Sequence, residues 1–463
     1  MNSRNIALDD IIGILEEKKP LHAVLLTSLN GIDDKREKAF VARLVRGCVE
    51  RAYSIDNIID SVSSVKVKKQ KTMIRNILRS GIYQILFMDS VTDFAACDES
   101  VKLAGKRGFR NLQGFVNGVL RNICRKKEEL LKDIYISEIG KSGTECQGEI
   151  EAVNDTVRLA YKYSMPEWIV EEFTKVFGKE RAEDAFRYFL KENEISVRVN
   201  TSKTTPEAFE KKCEALGIKA ERNRYIDKCF KISDTGSLEE LQEFKEGLFV
   251  VQDMSSALVG YICEKVSELN PLNKISVLDL CAAPGGKSLY LADICMEVTA
   301  CDISEQKISL IEENVNRCRF GNIKTIVNDA TVFNPGFEGK YDIVLCDLPC
   351  SGLGIIGKKP DIKYNMTPEK VGELAKLQRS ILDNAVKYVK KDGYLVFSTC
   401  TVTKTENPEN TEYLKSVHNF CGVALNEYLP CGIRAKDADD NYIQIIPGEY
   451  DSDGFFISLY KKH

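Results

Sequence analysis

Val277-Leu-Asp-Leu-Cys-Ala-Ala-Pro-Gly-Gly-Lys287 decides the fold: a short apolar run breaks into two adjacent glycines, then the next helical segment begins. Downstream, further short apolar runs alternate with helical periodicity: Val298-Thr-Ala-Cys301, Thr325-Ile-Val327, Tyr341-Asp-Ile-Val-Leu-Cys346 and Tyr394-Leu-Val-Phe397. Strands that are apolar on both faces and separated by helices predict a doubly wound parallel sheet. Tyr442-Ile-Gln-Ile-Ile446 and Phe455-Phe-Ile-Ser-Leu459 are expected to close it as an antiparallel pair at the sheet edge.

Such sheets bind ligands beyond the carboxyl ends of their strands, so the residues that follow each strand describe the site. The first strand leads into Cys281, Ala282, Ala283, Pro284, Gly285, Gly286 and Lys287. The glycines allow close backbone approach, and the following helix offers N–H groups to a carboxylate. The loop fits neither the phosphate-binding nor the dinucleotide glycine pattern. Asp302 closes the second strand, where it can accept from both ribose hydroxyls. Asp329 follows the third, within reach of an adenine amino group. Each alone reads as a turn or cap residue. Together behind one Gly-Gly loop they suit S-adenosylmethionine, whose carboxylate, ribose and adenine match loop, Asp302 and Asp329 in order.

The fourth strand ends in Asp347-Leu-Pro-Cys-Ser-Gly352 and the fifth in Ser398-Thr-Cys400-Thr. Most cysteines are small core residues. Two at the ends of adjacent strands suit a reaction that needs a thiol. Carbon 5 of cytosine becomes nucleophilic once a thiolate adds to carbon 6, and that addition reverses after methyl transfer.

Residues 1–130 carry 23 Lys and Arg against 16 Asp and Glu, a balance of +7, whereas the remainder of the 463 residues balances at −11. Three apolar stripes at helical spacing run through this third: Phe40, Val41, Leu44, Val45, Cys48, Val49; Met73, Ile74, Ile77, Leu78, Ile82, Ile85, Leu86; and Phe115, Val116, Val119, Leu120, Ile123. Lys71, Arg75 and Arg79 share one helix face, as do Arg121 and Arg125. A helical bundle with basic outer faces, suited to a polyanion, is expected. Residues 136–154 read as a connector. Residues 155–250 read as a small mixed α/β module: helices around Trp168, Ile169 and Phe173, a strand at Ile195–Val199, a helix near Ala208–Leu216 and a strand near Cys229-Phe230.

Composition narrows the setting. No apolar run approaches a membrane span, and the first residues lack a signal-like stretch. Sixteen cysteines without a C-x-x-C pair, and only three histidines, argue against disulfides and against a zinc site. A reducing cytoplasm, no metal and no membrane partner are expected.

The sequence resembles the RsmB/Sun (Fmu) family of ribosomal RNA cytosine-5 methyltransferases across nearly its whole length. The resemblance rests on the C-A-A-P-G-G-K loop, the D-x-P-C-S-G segment, Pro360-Asp-Ile-Lys-Tyr364 and the turn at Cys400. Gly114-Phe-Val-Asn-Gly-Val-Leu-Arg121 is similar to a NusB-type RNA-binding bundle. The resemblance implies an all-α NusB-like domain over 1–135, the small α/β module, and a Rossmann-like methyltransferase domain over 251–463. It implies a monomer acting on 16S ribosomal RNA in a free or partly assembled small subunit. Residues 281–287, Asp302, Asp329 and Asp347 would contact S-adenosylmethionine. Cys400 would be the nucleophile and Cys350 would assist release from the adduct. Asp347 would also meet the base near N3, and Lys287 would position the cofactor or the catalytic loop. Competing readings are a cytosine-5 methyltransferase of transfer RNA or another ribosomal site, and a non-catalytic RNA-binding or antitermination factor.

Overall fold

The computed structural model describes residues 3–132, 155–191, 194–269, 275–294, 296–418, 420–437 and 439–463. The expected connector therefore lies outside the described residues. Two compact units emerge, Met1–Leu190 with Ile356–Met366, and Lys191–Ile355 with Thr367–His463.

In the first unit, helices Ser3–Leu15, Leu21–Asn30, Lys35–Val62, Thr72–Phe87, Asp93–Lys106 and Gln113–Arg125 bury the three stripes as one core. Phe40, Met73 and Phe115 stay at its margin. Asp34 and Thr92 cap two of these helices through backbone N–H groups of the first turn. One expectation fails here. Arg75 and Arg79 do not face solvent, because helix Thr72–Phe87 is buried around most of its circumference. Arg79 forks onto Asp56 at 2.7 and 2.6 Å and reaches Glu16 at 3.0 Å, and Arg75 also pairs with Glu16. Burial works against the charge of Glu16. Hydrogen bonds from Arg75 and Asn76 and the charges of Arg79 and Arg75 outweigh it and hold the carboxyl down at about 2. Arg121 and Arg125 are exposed, as read.

Helices Asp155–Tyr163, Glu167–Phe177 and Lys179–Phe189, grouped by sequence with the small module, belong to this first unit. Their aromatic cluster of Tyr163, Phe173, Phe186 and Phe189 is buried. Ser54 fastens them to helix Lys35–Val62: its N–H donates to Ser164 Oγ at 3.2 Å and its hydroxyl to the Tyr161 carbonyl at 2.6 Å.

Residues 356–366 return to this unit from far along the chain. Lys363 donates to the Glu50 and Ser164 carbonyls at 2.6 and 2.9 Å, and the Tyr364 hydroxyl accepts from Tyr53 N at 3.2 Å. Burial pulls the Lys363 ammonium down to about 7. Between that value and the ordinary lysine range, the unfolded chain binds the extra proton, so stability rises with pH across this window. The contribution is lost as pH falls through about 7. Thermal melts of wild type and Lys363→Met should therefore diverge in slope between pH 7 and 10. Parallel curves would show that Lys363 stays charged when folded.

The second unit opens with an antiparallel sheet of β1 (Ile195–Val199), β2 (Lys219–Arg222), β3 (Cys229–Ser233) and β4 (Phe249–Val251), ordered β2-β3-β1-β4. Phe209 of helix Pro206–Ala215 packs on it against Phe230 and Phe249. The larger sheet holds β5 (Ser276–Asp279), β6 (Glu297–Asp302), β7 (Ile323–Val327), β8 (Tyr341–Asp347), β9 (Val389–Thr399), β10 (Cys421–Gly422), β11 (Tyr442–Ile445) and β12 (Phe455–Lys461). Its order is β10-β12-β9-β8-β5-β6-β7, with β11 also on β12. Strands β5 to β9 run parallel, and β12 adds antiparallel to β9. The order reverses between β5 and β8, the position where such sheets open a ligand crevice.

Candidate active site

Strand β5 ends in the Cys281–Lys287 loop. Gly285 sits at φ 102°, a conformation that favours glycine, and helix Gly286–Asp293 starts immediately after it. Asp302, at the end of β6, is buried and reaches across to the loop. Its Oδ2 accepts from Ala283 N at 2.9 Å, and its Oδ1 accepts from Ile303 N and Lys307 Nζ at 2.8 and 2.9 Å. Asp329 follows β7 on the surface, where it closes a turn by accepting from the Thr331 N–H and hydroxyl. Ile303 and Val332, apolar and about 60% exposed, stand beside the two acids in sequence. Burial pushes the Cys281 thiol well up.

Sequence reasoning missed three residues under this loop. Asp279 is fully buried, with one oxygen accepting from Ser288 Oγ at 2.6 Å and the other without a hydrogen-bond partner. Burial pushes its carboxyl up to about 7. Arg198, on β1 of the small sheet, is also fully buried. It donates to Gln252 Oε1 at 2.7 Å and to the Gly286 carbonyl at 3.4 Å, and it lies 4.8 Å over the Tyr290 ring. At the far end of helix Gly286–Asp293, the Asp293 carboxylate accepts from Thr201 N, Thr201 Oγ and Ser202 N at 2.6 to 3.1 Å. The small sheet thus grips both ends of the helix that carries the Gly-Gly loop, which gives that module a role its sequence did not announce.

The residues expected to be catalytic lie at the ends of β8 and β9, across the β5/β8 reversal. Asp347 ends β8, and its carboxylate is bracketed by Lys287 Nζ at 2.6 Å and Ser398 Oγ at 2.8 Å. Lys287 also donates to Ser256 Oγ at 2.9 Å. Cys350 and Cys400, fifty residues apart, place their sulfurs 3.3 Å from each other, and both are partly accessible. The hydrogen bond to Cys400, with burial behind it, drives the Cys350 thiol well above the ordinary thiol range. Either sulfur can act as the donor in this contact. The two loops touch through backbone as well: Gly354 N donates to the Cys400 carbonyl at 3.0 Å, and a Cβ at Gly354 would lie 2.1 Å from the Gly454 carbonyl oxygen.

Behind the thiols sits a residue that no motif flagged. Glu406 is fully buried. It accepts from Ser351 N (2.8 Å), Ser351 Oγ (2.5 Å), Gln378 Nε2 (3.1 Å) and Thr403 Oγ1 (2.9 Å). Ser351 Oγ in turn meets Thr401 Oγ1 at 2.6 Å. Each cysteine is thus followed by a residue tied to this carboxylate network. Among the described residues, no cluster of His, Cys, Asp and Glu is built to hold a metal, and no helix is long and apolar enough to cross a membrane.

Comparison with known proteins adds three matches. Residues 266–461 match the family described as 16S rRNA methyltransferase RsmB/F, residues 1–125 the NusB family, and residues 165–239 the RsmF/B-like ferredoxin-like domain. The chain is 33% identical to a probable ribosomal RNA small subunit methyltransferase B of Bacillus subtilis, covering 99% of this chain and 98% of that one. A ribosomal RNA small subunit methyltransferase B of Proteus mirabilis is 28% identical, over 100% and 99% of the two chains. The solved structure of PH0851 superposes with a TM-score of 0.77 at 24% identity, covering 100% of this chain and 99% of that one. NSun6 from Pyrococcus horikoshii, solved with SFG, gives 0.56 at 21% identity over 64% and 98%.

Proposed function

The chain belongs to the 16S rRNA methyltransferase RsmB/F family, and from that premise we propose that it methylates carbon 5 of a cytosine in small-subunit ribosomal RNA, with S-adenosylmethionine as donor. The observation that carries this reading is the Cys350–Cys400 pair, 3.3 Å apart beside Asp347 where the strand order reverses.

The residues present suit the donor. Gly285 and the N-terminus of helix Gly286–Asp293 suit its carboxylate, Asp302 its ribose, and Ile303 with Asp329 its adenine. Asp302 already accepts three hydrogen bonds, and half-exposed Lys307 is the partner that a ribose hydroxyl would displace. When bound, the donor supplies an electrophilic methyl group on a sulfonium. The chain's own residues do the remainder. Cys400, as thiolate, adds to carbon 6 of the base, and the electron pair moves to carbon 5, which then takes the methyl group. Asp347, held by Lys287 and Ser398, orients the base near N3. A base accepts the carbon 5 proton, the electron pair returns, and the carbon–sulfur bond breaks to free Cys400. Cys350 assists that release. The paired thiols give a non-catalytic RNA-binding factor no explanation. The exposed Arg121 and Arg125 of the NusB-family third support a contact with the RNA backbone.

Bisulfite sequencing of small-subunit ribosomal RNA incubated with the full chain and S-adenosylmethionine tests the activity. One newly protected cytosine is expected, and a transcript without any would remove the reading. Asp302→Ala should weaken donor binding about 10- to 100-fold through lost charge-assisted hydrogen bonds. Equal affinities by calorimetry would take Asp302 out of the site.

A further inference from the structure

The small sheet and the loop between β11 and β12 enclose a cavity of about 290 Å³ that the reaction described above does not use. Two aromatic rings stand in it, Tyr225 and Tyr450, edge to face with centroids 5.2 Å apart. Arg224 is exposed and holds its guanidinium 4.8 Å over the Tyr225 ring. The other cations of the wall are matched by carboxylates: Arg222 by Glu207 and Asp227, Lys231 by Asp451. Tyr450 has φ 55° and ψ 21°, and Asp451 follows at φ 55°. Bulky side chains rarely adopt this left-handed backbone, and such strain concentrates where a side chain is held for use. The Lys231–Asp451 ion pair at 2.5 Å and the Gly448–Ser452 backbone bond at 2.9 Å hold it in place.

A run of hydrogen bonds links the cavity wall to the Cys400 loop. Its floor is Met254, which opens helix Met254–Leu269 two residues before Ser256, the partner of Lys287. Asp253 accepts from Ser196 Oγ on β1 and from Asp453 N on the loop, at 3.1 and 3.2 Å. The next residue, Gly454, donates to the Gly354 carbonyl at 2.9 Å, and Gly354 N donates to the carbonyl of Cys400.

Aromatic faces with an arginine plane, tied to the Cys400 loop by this run of hydrogen bonds, are the chemistry that stacks an unpaired base and meets its phosphate. We infer that this cavity binds a single-stranded RNA nucleotide flanking the target cytosine, with Tyr225 and Tyr450 as the stacking surface and Arg224 on the backbone phosphate. The inference rests on the RNA methyltransferase reading and adds a substrate subsite to it.

The test uses the full chain and a single-stranded RNA fragment that contains the cytosine located by bisulfite sequencing. Variants of the RNA carry one abasic ribose at each of the three positions on either side. Tyr225→Ala should raise the KM for RNA about tenfold, leaving kcat at saturating RNA and the affinity for S-adenosylmethionine within twofold. One abasic position should reproduce that loss, and combining it with Tyr225→Ala should cost no more than either change alone. Arg224→Ala, on an exposed side chain that cannot disturb the core, should reduce the slope of log KM against log salt by about 1. Additive losses at all six positions, or a wild-type KM in Tyr225→Ala with an unchanged salt slope in Arg224→Ala, would overturn the subsite alone. A wild-type chain that methylates no cytosine in the intact fragment would overturn the functional reading, and the subsite with it.

Discussion

Cys400→Ala is expected to abolish both methyl transfer and covalent capture of RNA, whereas Cys350→Ala is expected to form the adduct and fail to release it. The asymmetry follows from the raised Cys350 thiol. Cys350 is held well above the ordinary thiol range by its hydrogen bond to Cys400 and by burial. It therefore remains a thiol at neutral pH, and as a thiol it can donate to the Cys400 sulfur 3.3 Å away. A thiolate at Cys400 gains a donor, and no equivalent anion forms at Cys350. Without Cys400 nothing adds to carbon 6, so turnover should fall to background. Loss of a proton-transfer group costs about 10²- to 10⁴-fold, so Cys350→Ala should slow release by that order and accumulate its intermediate. A protein–RNA species that survives denaturing electrophoresis should appear in Cys350→Ala and be missing from Cys400→Ala. The target base must also leave its stack, which costs a few kcal/mol in a duplex and less in a loop, so adducts should form faster on unpaired RNA. The reverse pattern would exchange the roles of the two cysteines. Near-normal turnover in both variants would reduce them to buried packing residues.

The gathering of the candidate residues at one edge was legible because a parallel sheet turns a linear pattern into a place. Every strand that runs parallel presents its carboxyl end at the same edge, so Gly285, Asp302, Asp347 and Cys400 could be gathered from sequence without knowing the strand order. What escaped was support from elsewhere in the chain. β2 reads Lys-Ala-Glu-Arg with alternating exposure and little β-branched content, and β4 has only three residues, so neither stood out. Arg198 is a charged residue in the middle of Ile195-Ser-Val-Arg-Val199, yet it lies buried against Gln252 and Tyr290. Arg75 and Arg79 carried the spacing of a solvated basic face. Their carboxylates, Glu16 in the turn after helix Ser3–Leu15 and Asp56 on helix Lys35–Val62, stand at separations of 23 to 63 residues, which no local periodicity reveals. Pro360–Tyr364 reads as a family signature, and the packing of residues 356–366 with the helical unit is hidden for the same reason.

Glu406 shows the same limit most sharply, and its removal should have the second-largest effect on the site. In Thr403-Lys-Thr-Glu406-Asn-Pro408 it looks like one more charged loop residue. In the fold it is the common acceptor for donors on Ser351, Gln378 and Thr403. Glu406→Ala would leave those buried donors without an acceptor, at about 1–3 kcal/mol for each that water cannot reach, so a loss of roughly 3–5 kcal/mol is expected. Glu406→Gln should cost only about 1 kcal/mol. Its carbonyl can still accept from Ser351 N and Gln378, and the Ser351 and Thr403 hydroxyls can turn to accept from the amide. The functional consequence separates from the structural one. Ser351 adjoins Cys350 and its partner Thr401 adjoins Cys400, so Glu406→Ala loosens the 3.3 Å pairing itself. A misplacement of about 1 Å at reacting groups can cost on the order of 10²-fold in rate. Single-turnover methylation by Glu406→Ala should therefore fall by at least that factor below the melting temperature, with donor affinity kept, since Gly285 and Asp302 do not touch Glu406. Wild-type rates in a Glu406→Ala protein with an unchanged melting temperature would show that the thiols are positioned by something other than this carboxylate.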